Sequence, residues 1–138
     1  MTAMAPKRSV HQWSQLVYID LLCGPGRSVE RETGSEFDGS PLRALNIRPP
    51  FDHLFFSDLS KRNVQTLKRR IRPGDFNRVT VQAGDCHEVA RRIVKALPNR
   101  SLGLAFVDPE GFEVSFSLFE TLAAGRIDVL FLFPSGPV

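Results

Sequence analysis

The stretch Val17-Tyr18-Ile19-Asp20-Leu21-Leu22-Cys23-Gly24-Pro25-Gly26 constrains the fold of this chain more than any other. It is an apolar run with one carboxylate that breaks into a turn bracketed by glycines. The run is too short and too rich in Val, Ile and Leu for an amphipathic helix, so it reads as a buried parallel strand. Gly24 and Gly26 then let backbone amides approach a ligand closely. On open α/β sheets, ligands sit beyond the carboxyl ends of the strands.

Four further apolar runs follow the same plan: His53 to Asp58, Val79 to Ala83 leading into Gly84-Asp85, Leu102 to Val107 leading into Asp108-Pro109, and Asp128 to Phe133. Between the opening run and the first of these, the polar stretch Arg27 to Gly39 has no periodic pattern and reads as a long connection. Ser40 and Pro41 mark the start of a short helix with Leu42, Ala44 and Leu45 as its apolar face. Ser60 caps the next helix, where Val64, Leu67 and Ile71 recur at helical spacing until Pro73-Gly74. Val89, Ile93 and Leu97 line a third helix ending at Pro98-Asn99, and Phe116, Phe119 and Leu122 point inward from a fourth, closed by Gly125. Five strands alternating with four helical segments predict an α/β three-layer sandwich, a mainly parallel five-stranded sheet with helices on both faces. Residues 1–12 read as a flexible leader and 13–138 as one core domain.

At 138 residues such a domain buries a core without disulfide or metal support. Cys23 and Cys86 belong to no Cys-rich pattern, and His11, His53 and His87 lack metal-ligand spacing, so no metal is assigned. No apolar segment follows Lys7 and Arg8 to make a secretory signal, and no run is long enough to span a bilayer, which makes a cytoplasmic protein the default. The net charge of +3 is uneven. Lys61, Arg62, Lys68, Arg69, Arg70 and Arg72 fall in one acid-free stretch, and nucleic acid is one partner for the segment Lys61 to Arg72. Without interleaved aromatic residues, the solvated face of a helix is the stronger reading.

Four strands place an acid at or near the carboxyl end: Asp20, Asp58, Asp85 and Asp108. In a three-layer sheet these ends share one edge, so the four acids should gather at one crevice. A dinucleotide fingerprint is incomplete, since Gly24-Pro25-Gly26-Arg27-Ser28-Val29 lacks the third glycine, and no P-loop pattern exists. A carboxylate before the glycine turn disfavours a polyphosphate and favours a ligand bearing an ammonium group, such as S-adenosylmethionine. Asp20 would then lie near the methionine moiety held at Gly24, Pro25 and Gly26. Asp58, with Leu59 beside it, would accept both ribose hydroxyls, and Asp85 would take the adenine amine beside the Cys86 backbone.

Tyr18-Ile19-Asp20-Leu21-Leu22-Cys23-Gly24-Pro25-Gly26, Gly39-Ser40-Pro41-Leu42, Gly84-Asp85 and Phe106-Val107-Asp108-Pro109-Glu110-Gly111-Phe112 together resemble the three-Cys-motif partner (TcmP) proteins of bacteria, from about Trp13 to Pro134. The resemblance implies a Rossmann-like domain related to class I S-adenosylmethionine-dependent methyltransferases, with strand order 3-2-1-4-5, and a three-Cys-motif protein as partner. On the enzyme reading Asp108, Pro109 and Glu110 lie at the acceptor, with Asp108 orienting it; Glu110 and His87 are candidate bases, although each reads more readily as an exposed side chain. Family members commonly have Phe-Ala at Leu22-Cys23 and Asp-Pro-Tyr-Gly at Asp108-Pro109-Glu110-Gly111. Glu110 cannot stack on a flipped base as an aromatic residue there would; Phe112 offers a ring nearby, although a buried core residue is the stronger reading for it. Relatives extend further at both ends, and the methyltransferase sheet normally continues into a hairpin. Its lack here implies an open edge through which the chain could associate. The alternative to an enzyme is a non-catalytic cofactor- or partner-binding module.

Overall fold

The sheet grows outward from the run that opens the chain. In the computed structural model, which describes residues 15–29, 32–97, 101–107, 116–125 and 127–131, Gln15–Asp20 forms β1. It is flanked by His53–Asp58 (β4) on one side and Ser101–Val107 (β6) on the other, both parallel to it. Val79–Ala83 (β5) and Ile127–Phe131 (β7) complete the sheet in the order β5-β4-β1-β6-β7, every neighbouring pair parallel. Two small strands, β2 (Arg27–Val29) and β3 (Glu36–Asp38), intervene in the chain but form a separate antiparallel ribbon. With these set aside, the sheet strands run 3-2-1-4-5 in order of appearance.

The central strand is buried on both faces because its side chains alternate between two cores. Val17, Ile19 and Leu21 pack with Val89, Ala90 and Ile93 of α3 (Cys86–Ala96) and Leu118 and Leu122 of α4 (Phe116–Ala124). Tyr18 points the other way, into a core with Leu42 and Leu45 of α1 (Ser40–Leu45), Phe56 of β4, and Leu67 of α2 (Lys61–Arg70). Burying each large apolar side chain contributes about 1.5–3 kcal/mol. The cations of α2 face outward, as the positions of Val64 and Leu67 require.

Several local details differ from the sequence reading. The stretch Arg27 to Gly39 is not wholly irregular. Arg27 sits opposite Asp38 across the β2–β3 ribbon and makes ion pairs with Asp38 at 3.5 Å and Glu36 at 3.4 Å. Ser40 does not cap α1: the N-cap is Gly39, and Ser40 turns its hydroxyl elsewhere. Ser60 does cap α2, accepting the Asn63 N–H at 3.1 Å. A 3-10 helix, Pro73–Arg78, follows the helix terminator, and in α4 it is Leu118 and Leu122 that are fully buried, with Phe119 only half-buried. The leader, residues 1–12, and the chain beyond β7 lie outside the described residues.

Candidate functional site

The parallel register brings the ends of β1 and β4 to one edge. Asp20 pairs with Phe56, so Asp58 stands two residues further along the adjacent strand. The chain leaves β1 through a turn that is tied to β4: the Cys23 N–H donates to the Ser57 carbonyl at 2.9 Å, and the Gly24 N–H donates to Asp58 Oδ1 at 3.2 Å. Gly24 and Gly26 both adopt positive φ, +66° and +96°, the left-handed region where a side chain is strained. They serve different ends. A Cβ on Gly26 would come within 2.8 Å of Leu67, whereas one on Gly24 would meet nothing within 4 Å.

Asp58 is the hub of this edge. Its second oxygen accepts the Ser60 N–H and the Asn63 side-chain amide, both at 3.0 Å, so one carboxylate fastens the glycine turn to the first turn of α2. A carboxylate offers about four lone-pair sites, which leaves room at Asp58 for one further donor. Accepting both ribose hydroxyls therefore requires the release of Gly24 or Asn63.

Asp20, buried at 1% exposure, accepts the Ser40 hydroxyl at 2.5 Å and the Tyr18 hydroxyl at 3.4 Å. Burial, reinforced by the charge of Asp20, pushes the Tyr18 hydroxyl far above its ordinary pKa. The Cys23 thiol is likewise driven up by burial and then by Asp20 and Asp58. It is a neutral wall group, not an activated nucleophile.

Tyr18, Cys23, Ser40 and Asp58 help enclose a crevice of about 670 Å³, within the range that holds a drug-sized ligand, while Asp20 is buried behind them and does not line it. Gly24, Pro25, Gly26 and Asp58 line it, together with Phe106 from β6 and Asn63 from α2. Phe37 of the ribbon and Ile47 beyond α1 line its mouth, each 46% exposed. The sequence offered no signal for Phe37 or Asn63, because nothing local links residue 37 or 63 to the turn at 24. Ser40 was visible as a cap and within the Gly39-Ser40-Pro41-Leu42 motif, not as a partner of Asp20.

The remaining predicted residues are distributed along or outside this edge. Asp85 follows β5, next to β4, and the Gly84 N–H donates to the Asp58 carbonyl at 3.0 Å. Asp85 and Cys86 are not part of the crevice wall. The exposed Asp85 carboxylate caps α3, accepting the N–H groups of His87 and Glu88 at 3.0 and 3.2 Å. Leu59 is 63% exposed beside Asp58. Burial and Asp85 raise the Cys86 thiol pKa. The His87 ring contacts Cys86 and Asp85, each at 3.5 Å, and does not line the crevice. The donor atoms of Asp85, Cys86 and His87 lie within 4.8 Å of one another, but they crowd the positive end of α3, which opposes a cation. Val107 ends β6 at the same sheet edge, and Asp108, Pro109 and Glu110, which follow it, lie outside the described residues.

No family model and no curated protein matches the chain. Among solved structures it is similar to protein LPL1258 from Legionella pneumophila, described under the family model DUF519. The identity is 17% and the TM-score 0.56, over 84% of this chain and 54% of that one. It is also similar to a conserved hypothetical protein of Streptococcus pyogenes, with 17% identity and a TM-score of 0.54 over 91% of this chain and 76% of that one. At such identities the likeness is one of fold. The chain spans about half the length of the Legionella protein. No helix among the described residues is long and apolar enough to cross a membrane.

Proposed function

We propose that this chain is a methyltransferase-like domain that holds S-adenosylmethionine at the glycine turn, as its resemblance to the TcmP proteins implies. One observation carries the reading: the turn leaving the central strand is bound to the acid ending the next strand by the Gly24 to Asp58 hydrogen bond, at the wall of a crevice large enough for the cofactor. Gly24 fits such a ligand because no protein atom occupies the space its Cβ would fill. Asp58 has capacity for one ribose hydroxyl. Asp20 ends the strand that leads into the turn and Asp85 follows the strand beyond β4, both outside the crevice wall; this reading gives them the ligand's ammonium group and its adenine amine. The cofactor supplies an electrophilic methyl group. The chain's part is alignment of the acceptor, which this reading gives to Asp108, Pro109 and Glu110.

Isothermal titration with S-adenosylhomocysteine tests the reading. Micromolar binding that is lost in Asp58→Asn, with an unchanged circular dichroism spectrum, supports it; no heat of binding from the intact chain contradicts it. A non-catalytic binding module is the second reading, favoured by the three N–H donors that already occupy Asp58. Cofactor binding without methyl transfer to nucleic acid or to a three-Cys-motif protein would select it.

A further inference from the structure

The outer surface of α2 is unusual for a solvated helix face. Five of its ten residues, Lys61, Arg62, Lys68, Arg69 and Arg70, are exposed cations, and the helix contains no acid. Ordinary exposed helices mix the two signs, because neighbouring like charges repel. Lys61 and Arg62 also stand at the N-terminal end, where the helix dipole disfavours cations. This arrangement costs local stability and leaves a surface suited to a polyanion.

The same helix forms part of the crevice. Asn63 lines it, and Arg70 donates to the carbonyl of Pro25, another lining residue, at 2.9 Å. Phe37, exposed and on a different element, lines the same crevice. Its ribbon carries acids, but Arg27 pairs with both Glu36 and Asp38, and Arg43, whose Nε–H donates to the Asp38 carbonyl at 2.8 Å, adds a cation at the wall. An exposed ring beside a cationic track is the pairing that single-stranded nucleic acid uses, one element stacking a base while the other follows the phosphates.

We propose that the crevice mouth receives one unstacked base of a single-stranded nucleic acid against Phe37, with the strand's phosphates running along α2. This names the acceptor class for the methyl-transfer reading and rests on that reading for its chemistry, though not for its binding. A duplex holds its bases in the stack and cannot supply one to the mouth without flipping it out.

Fluorescence anisotropy of the full chain with labelled oligo(dT) and oligo(U) of about 12 nucleotides, and with a duplex of the same length, tests it. Either single strand should bind more tightly than the duplex, with affinity falling at least about tenfold between about 50 and about 200 mM salt. Phe37→Ala should weaken single-strand binding on the order of tenfold at fixed salt. Arg62→Glu with Arg69→Glu should weaken it and flatten the salt dependence, and Phe76→Ala, an exposed ring outside the crevice, should change nothing. Circular dichroism confirms that each variant is folded. Absent binding overturns the proposal, as does binding that is equal for the duplex and indifferent to Phe37→Ala. If S-adenosylhomocysteine binds and the strands do not, only the acceptor class falls. If the strands bind through Phe37 and the cofactor does not, the methyl-transfer reading falls and the nucleic-acid site stands.

Discussion

Substituting the two glycines of the turn separately should divide its structural role from its ligand role. Gly26→Ala places a methyl group 2.8 Å from Cδ1 of the fully buried Leu67, with Arg70 and Leu42 each 3.6 Å away. Holding an alanine at positive φ costs about 1–2 kcal/mol, and overfilling a packed core adds about 1–3 kcal/mol. The total, about 2–5 kcal/mol, is a large part of the roughly 5–15 kcal/mol available to a domain of this kind. Gly24→Ala meets no neighbour and should cost only the backbone term, about 1–2 kcal/mol. Urea unfolding of both variants, compared at equal denaturant slope, should therefore rank Gly26→Ala clearly below Gly24→Ala. In titration with S-adenosylhomocysteine, Gly24→Ala, though folded, should lose affinity because its methyl group stands where the ligand must approach. Equal stability losses, or undiminished affinity in Gly24→Ala, would refute the division.

Other outcomes follow from the same edge of the sheet. Ser40→Ala removes the 2.5 Å hydrogen bond to buried Asp20 and should lower stability by about 1–3 kcal/mol, read from the denaturation midpoint; no change would mean that Asp20 does not depend on this donor. His53, half-buried with Nε2 2.8 Å from Thr80 Oγ1, has its pKa lowered by burial from 6.5. Its contribution should be complete above the unfolded value and fade as pH falls through the folded one, because there the unfolded chain binds more protons. Thermal melts across that window should show a steeper acid loss for the native chain than for His53→Gln, and parallel curves would contradict this. The buried, up-shifted Cys23 thiol should resist iodoacetamide in the folded protein and react in urea, as mapped by mass spectrometry; rapid native labelling would show the turn to be open.

The sheet was legible in the sequence because its strands are short and apolar, and four of the five end at or just before a carboxylate or a glycine. His53–Asp58 and Val79–Ala83 have the bounds their composition predicts. Tertiary structure overrode local chemistry at Ser40, whose hydroxyl finds the buried Asp20 in place of its own helix terminus. The β2–β3 ribbon was hidden because strands of three residues are too short to show alternation. Only the opposite charges of Arg27 and Asp38 marked the pairing, and they have meaning once the two are known to face one another. For the same reason the aromatic partner of the basic helix was invisible: Phe37 reaches the crevice mouth from an element distant in sequence. The glycine turn and Asp58 were recognisable as site residues, while the internal hydrogen bonds that occupy Asp58 depend on register and were not.

The glycine turn and Asp58 together form the ligand-binding edge on which the proposed function depends. A crystal of the full chain soaked with S-adenosylhomocysteine tests this most directly. Electron density for the ligand should run from Gly24 past Asp58 toward Asp85. Density at another surface, or none at saturating ligand with the crevice open to solvent, would contradict it.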